Sequence, residues 1–345
     1  MFLQTLHRVP VGYWYWDVED GEPFPPPNLN DTDVSSPLFY LKRAIKWMDE
    51  LGLQALIDLH SGPGSQNGYD NSGRRGEVHW VDETYPENRA NLERTLRINE
   101  KIAQTMRQWV DNGEFGINTL YGIGLLNEPH VCGYESWFSL REACLDDFYP
   151  KGYDVIRKYF GPEEAAVVID VASLPFSMFN RRFPADQYQN LVIDAHHYQC
   201  FANNLVEQED GWERHLSDAC KRGDAINDSH LPVFTGEFST AITECQKYLQ
   251  GGYVTPYDPF NPPEICNTYN GDFPNYGPAH VDFLKNFFLA QIDSYESGPS
   301  GVGWFMWTMK VEGEHEAGPE WDFLYLWRNG VIPSDLCSRD HYCNS

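Results

Sequence analysis

An α/β fold of the (β/α)8 barrel class is what this sequence predicts, on three observations. Short apolar runs alternate with amphipathic helical stretches along the whole chain. Most of those runs are continuously apolar, the pattern of parallel strands buried on both faces. Six of the seven runs also carry polar or aromatic side chains at or near an end, and the C-terminal ends of barrel strands are where barrel active sites lie. An open doubly wound sheet is built from the same strand–helix units, but it should show a glycine-rich phosphate loop after an early strand, and none is present.

The strand candidates are residues 6–11, 55–59, 122–126, 165–171, 191–195, 232–235 and 303–307. Between the first two, Ser36 reads as an N-cap with Pro37 at the first helical position. Leu38, Leu41, Ile45 and Met48 then share one face, and Gly52 stops the helix. Residues 88–111 and 279–295 are periodic in the same way. No linker, repeat or low-complexity tract interrupts the chain, so residues 1–345 read as one catalytic-sized domain. Seven strands are one short of a closed barrel, and the missing one would precede Leu6, so the expectation is a barrel lacking its first strand and helix or completed in another way.

Composition narrows the function. With 41% hydrophobic and 22% charged residues, the chain has a globular composition, and no apolar run is long enough to span a bilayer. A formal net charge of −26 disfavours nucleic acid, anionic membranes and polyanionic substrates, but not a neutral polymer. Eleven Trp, 20 Tyr and 20 Phe supply flat rings of the kind that stack on sugar faces, although most must serve the core. Eight cysteines without a C-x-x-C pair or a Cys/His cluster at metal spacing favour disulfides over zinc, and Cys132 with Cys144 is a local candidate pair. Acceptor triplets at Asn30 and Asn227 point the same way, to an extracellular or cell-wall setting. The first residues do not read as a signal peptide, because His7 and Arg8 follow too soon for an apolar h-region.

The chemistry concentrates on two glutamates. Glu128 in GIGLLNEPH and Glu237 in PVFTGEFST each close a short apolar run and precede loop-like sequence. A carboxylate there is costly unless paired. Two on separate strands can face one pocket, as glycoside hydrolysis requires; the bland reading is two unrelated buried ion pairs. Two carboxyl groups suffice for that reaction, so no cofactor and no metal are implied.

Seven segments carry a family resemblance in the right order: RVPVGYW (8–14), DLHSGPGSQNGYDNSG (58–73), NEP (127–129), HHYQCF (196–201), GEFS (236–239), GWFMWTMK (303–310) and PEW (319–321). Together they resemble the fungal-type exo-β-1,3-glucanases of glycoside hydrolase family 5, and the sixteen residues 58–73 are the most specific part. The resemblance implies a retaining mechanism with Glu128 as acid/base and Glu237 as nucleophile. It implies further that Asn127 binds the sugar 2-hydroxyl, that Tyr198 donates to the nucleophile, and that Arg8 lies near it. His60 and His196 would bind hydroxyls of the terminal glucose, Asp70 would sit near its non-reducing end, and Trp307 would form the sugar-ring floor. Tyr69 and Phe201 fall at the two positions of an aromatic entrance clamp, with Tyr replacing the usual Phe at the first. Without the family pattern, two buried histidines and a core tryptophan would be the plainer reading of His60, His196 and Trp307.

The resemblance also pairs Cys245 with Cys266 and Cys220 with Cys343, and leaves Cys200 and Cys337 unassigned. Two departures stand out: the family's first strand, with its sugar-binding glutamate, has no counterpart, and Met309 replaces a tryptophan before Lys310. The expectation is a monomer acting on β-glucan polysaccharide or oligosaccharide, releasing glucose from non-reducing ends. Open alternatives are another family 5 β-glucosidase or β-1,6-glucanase, and an inactive glucan-binding or truncated form. The stretch 251–278, rich in Gly, Pro and Tyr, reads as a long loop able to roof a pocket.

Overall fold

The computed structural model describes residues 6–133, 140–201, 209–246, 249, 276–312, 318–339 and 341–343. The chain forms two compact units, one of Phe2–Asp194 and one beginning at Ala195.

The first unit is a parallel ladder in which strands adjacent in sequence are adjacent in space. It comprises β1 (Leu6–Gly12), α1 (Pro37–Glu50), β2 (Gln54–Ser61), α2 (Ala90–Asp111), β3 (Leu120–Gly124), α3 (Tyr149–Arg157), β4 (Ala166–Asp170), the short α4 (Ser177–Arg182) and the first residues of β5 (Leu191–His197). Each strand pairs in parallel with the next, with Pro10 opposite Asp58, Asp58 opposite Gly124, Gly124 opposite Val168 and Asp170 opposite Asp194. Strand-to-strand packing is tight enough at Gly122 that a Cβ there would meet the Ala166 carbonyl oxygen at 2.6 Å.

The helix starts follow their local chemistry. Ser36 Oγ accepts the Leu38 N–H, Pro37 opens α1, and Gly52 takes a φ of 70° just after its end. Leu38, Leu41 and Ile45 are buried, as the periodicity predicts, while Met48 is half-buried. Helix α2 starts at Ala90 rather than residue 88 and buries Leu92, Ile98, Ile102 and Met106, each worth about 1.5–3 kcal/mol.

In the second unit, β6 (Val233–Phe238) is buried throughout and pairs in parallel with β7 (Gly301–Trp304). Helices α5 (Glu209–Asn227), α6 (Pro278–Tyr295) and the short α7 (Phe323–Arg328) complete its described elements. Helix α6 is not the two-faced helix its periodicity suggests: Phe283, Leu284, Phe287, Phe288, Ala290, Ile292 and Tyr295 are all buried, so it is covered on nearly every side.

Two strand ends differ from the sequence expectation. Strand β3 stops at Gly124, two residues short of Leu126, because the N–H groups of residues 125 and 127, which a regular strand would aim at one neighbour, go to opposite sides. Leu125 donates to Val168 and Asn127 to Leu59. Strand β7 spans Gly301–Trp304 rather than 303–307. Beyond it Phe305 and Trp307 still donate to Thr235 and Phe238 of β6 at 2.8 Å, and the Trp307–Thr308 peptide is cis. Arg8, expected at a strand end, lies inside β1.

Disulfides join Cys132 to Cys144 and Cys220 to Cys343, and Cys200 and Cys337 are free. The partner expected for Cys245, Cys266, lies outside the described residues, as does most of 251–278. The Cys220–Cys343 bridge closes a sequence separation of 123, a loop long enough to restrain the unfolded chain by about 4–5 kcal/mol. Cys220→Ser together with Cys343→Ser is expected to lower stability by about 3–5 kcal/mol in urea titrations followed by fluorescence.

Candidate active site

In the first unit the site is built around a buried cation. Arg8, with its side chain 4% exposed, places Nη2 3.1 Å from Asp58 Oδ2 and Nε 3.5 Å from Asp194 Oδ2. Nη2 also donates to Asn127 Oδ1 at 2.6 Å. Asp58 Oδ2 shares a second bond, at 2.8 Å, with His60 Nδ1, the ring nitrogen donating to the carboxylate. Asn127 is nearly fully buried, and its amide orientation follows from Arg8: the carbonyl takes the guanidinium, and Nδ2 is a buried donor without a hydrogen-bond partner. Gln66 Nε2 donates to the carbonyls of both His60 and Asn127 at 2.9 Å, tying the ends of β2 and β3 together.

Glu128 follows at a backbone φ of 41°, in the left-handed region that costs a non-glycine residue about 1–3 kcal/mol. Asp170 fixes it there. Its Oδ2 accepts the Glu128 N–H at 3.1 Å, and its Oδ1 accepts Ala172 N at 2.6 Å. The Glu128 carbonyl accepts the His130 N–H at 2.7 Å. On the side chain, Asn71 Nδ2 donates to Oε2 at 2.8 Å, and His130 Nε2 stands 3.9 Å from Oε1. Tyr69 is half-exposed with the His130 ring edge-on at 5.5 Å, and Asp70 beside it is exposed.

In the second unit Glu237 lies within β6 and is 5% exposed. Tyr198 Oη donates to Glu237 Oε2 at 2.8 Å, and His196 Nδ1 is 3.7 Å from the same oxygen. The Tyr198 ring is braced by Trp321 (centroids 5.3 Å apart) and meets Phe201 edge-on at 5.8 Å. Trp307 packs on the small apolar cluster of Cys200, Ala241 and Trp321.

Adjacent strand residues point to opposite faces, and the tandem histidines show it. His196 turns to Glu237. His197 turns into the core, where it shares a hydrogen bond with Tyr295 at 2.8 Å, and burial with Arg222 nearby lowers its pKa to about 3.

The expected residues therefore fall into two groups by unit: Arg8, His60, Tyr69, Asp70, Asn127 and Glu128 in the first, and His196, Tyr198, Phe201, Glu237 and Trp307 in the second. Sequence reasoning missed Asp58, Asn71, Asp170, Asp194, Glu320 and Trp321. Asp170 and Asp194 sit at or near the ends of apolar runs, the same signal that singled out the two glutamates. Asp58 and Asn71 lie in the most specific motif, and Glu320 and Trp321 in the last one, but their roles depend on hydrogen bonds that no spacing shows.

The Cellulase (glycosyl hydrolase family 5) profile matches residues 8–254. The probable glucan 1,3-beta-glucosidase A of Aspergillus fumigatus is 34% identical over 96% of this chain and 71% of its own length. The glucan 1,3-beta-glucosidase of Pichia angusta is 31% identical over 97% and 71%. Among solved structures, AoRut superposes with a TM-score of 0.64 at 21% identity, covering 95% of this chain and 77% of that one. The rutinosidase of Aspergillus niger gives 0.59 at 18% identity, covering 95% and 78%; both likenesses bear on the fold. The fold is of the (β/α)8 barrel class, and the carboxylates stand on or just beyond its strands. The chain belongs to glycosyl hydrolase family 5, and it is a glycoside hydrolase.

One buried carboxyl in this region titrates near neutrality. Glu320 accepts a hydrogen bond from Tyr276 Oη, and burial raises its pKa from 4.5 to about 7. A carboxyl whose folded pKa is raised contributes stability that is whole below the unfolded value and lost as pH rises through the folded one. The window here runs from about pH 4.5 to above 7. Glu320→Gln should therefore gain roughly 1–3 kcal/mol relative to the parent between pH 5 and pH 8. Urea midpoints measured at both pH values check this.

Proposed function

We propose that the chain is a retaining glucan 1,3-β-glucosidase of exo type, releasing glucose from non-reducing ends of β-1,3-glucan through a covalent glycosyl-enzyme. The observation that carries this reading is the unequal support of the two glutamates. Glu237 accepts a phenolic hydroxyl on Oε2, a contact that holds a nucleophilic carboxylate in place. The Glu128 carboxyl takes a neutral amide donor from Asn71 while its own N–H is anchored on Asp170, as suits a group that must lose and regain a proton in a fixed place. The names of the curated relatives supply the linkage.

In this reading Glu237 attacks the anomeric carbon while Glu128 protonates the glycosidic oxygen. Glu128 then takes a proton from the water that hydrolyses the intermediate. Retention requires carboxyl groups about 5–5.5 Å apart. Asn127 Nδ2, a buried donor with no hydrogen-bond partner, suits the sugar 2-hydroxyl, a contact that strengthens at the transition state. His60 and His196 are assigned to glucose hydroxyls, Asp70 to the non-reducing end, Trp307 to the sugar floor, and Tyr69 and Phe201 to the entrance. Arg8 is assigned the task of orienting Asn127.

The reading treats residues 1–345 as one catalytic domain, which the family match across 8–254 supports. It is proposed to act extracellularly as a monomer, with no nucleic-acid partner. Two disulfides and the exposed acceptor Asn30 fit that setting, and among the described residues no helix is long and apolar enough to cross a membrane.

Two measurements test the reading. Laminarin should yield β-glucose as the first product by proton NMR, in preference to pustulan and cello-oligosaccharides; absence of glucose from laminarin sinks the substrate assignment. Glu237→Gln should abolish turnover, and Tyr198→Phe should lower kcat by about 10-fold with KM little changed, since it removes one hydrogen bond to an ionised group.

A further inference from the structure

Asn71 makes its contact with Glu128 as the end of a relay. Asn67 Nδ2 donates to Asn71 Oδ1 at 3.0 Å, and Ser61 Oγ donates to the Asn71 carbonyl at 3.1 Å. Asn67 is itself buried and anchored, its Oδ1 accepting the Tyr69 N–H at 2.9 Å. A primary amide has one acceptor end and one donor end. With the acceptor end of Asn71 occupied by Asn67, only its NH2 can face Glu128, and it does so at 2.8 Å from Oε2.

We propose that Asn67 and Asn71 are positioning residues that fix which oxygen of Glu128 carries the catalytic proton, assigning it to Oε1. The proposal rests on the acid/base reading of Glu128 and deepens it. An amide donor is best met by the carbonyl-type oxygen of a protonated carboxyl, so Oε2 takes the hydrogen bond and the proton resides on Oε1. In the transfer, the Oε1–H bond breaks and the proton forms a bond to the glycosidic oxygen. The anomeric C–O bond cleaves, its electron pair stays on that oxygen, and Glu128 becomes a carboxylate. The Asn71 N–H then faces a full negative charge, so its bond strengthens as the reaction proceeds. That is differential stabilisation of the transition state rather than uniform binding. The backbone anchor from Asp170 sets where Glu128 starts; the amide relay sets which way its carboxyl is turned.

The test is the leaving-group dependence of kcat/KM, which reports the glycosylation step. Phenyl β-glucoside needs a proton on its leaving oxygen, whereas 2,4-dinitrophenyl β-glucoside does not. Asn71→Ala is expected to lower kcat/KM by about 10–100-fold on the phenyl substrate, the size of effect that misplacing a catalytic group by an ångström produces. On the dinitrophenyl substrate the change should stay within about threefold. The second variant, Asn67→Asp, keeps size and the Tyr69 contact but has no donor. It should draw the Asn71 NH2 towards itself and turn the Asn71 carbonyl to Glu128, giving the same selective loss in a protein with an unchanged unfolding midpoint. Equal losses on both substrates for either variant, or an Asn67→Asp enzyme with parental phenyl glucosidase activity, overturn the relay.

Glu128→Ala separates this from the underlying reading. If it loses both substrates equally and azide yields no β-glucosyl azide, the acid/base assignment falls. If it shows the selective loss and azide rescue while the asparagine variants do not, only the relay falls.

Discussion

The buried guanidinium of Arg8 is the constraint on which the first unit's polar architecture depends. A cation sequestered inside a strand is tolerable only when opposite charge and acceptors surround it. Asp58, Asp194 and Asn127 meet that demand from three other places in the chain. Each acceptor then has less freedom for anything else. Asp58 has one oxygen shared between Arg8 and His60, which fixes how the imidazole is turned. Asn127 has its carbonyl committed, which leaves its amino group as the end available for another partner. The geometry of groups expected to meet a sugar is thus inherited from the cost of burying one charge.

A different economy governs the second unit. Around Glu237 stand a phenol and an imidazole, the phenol's ring resting in turn on a tilted indole. Trp321 braces Tyr198, and the backbone of the same segment is tied to its neighbours: Thr240 donates to the Glu320 carbonyl by both N and Oγ1, and Thr308 N donates to that of Trp321 at 2.6 Å. Aromatic packing orients the hydroxyl that orients the carboxylate. Such positioning draws on shape more than on charge, and it survives salt better than surface ion pairs do.

The strand–helix alternation was legible because parallel strands buried on both faces must be apolar throughout, and because Ser36, Pro37 and Gly52 obey local rules that need no tertiary partner. The two glutamates were legible for the converse reason, as charges placed where burial would penalise them. What escaped was relational. That β3 gives way at Gly124 depends on hydrogen bonds to both flanking strands, and that α6 is buried nearly all round depends on neighbours remote in sequence. Asp170 and Asn71 resemble any polar residue until their acceptor and donor atoms are seen against Glu128. Of two adjacent histidines, the strand pleat alone decides that His196 faces Glu237 and His197 the core.

The bridge between Cys132 and Cys144 has a consequence for how the protein is made. Cys132 lies four residues after Glu128, and Cys144 lies shortly before α3, so the covalent link spans the segment that immediately follows the proposed proton donor. In a reducing cytoplasm the two thiols would stay unjoined, and Cys132, four residues after Glu128, would lose its covalent tie to Cys144. A preparation from such a host can hence be folded and soluble while lacking the cross-link beside the proposed proton donor. Thiol titration of the purified protein is accordingly a better certificate of competence than its yield.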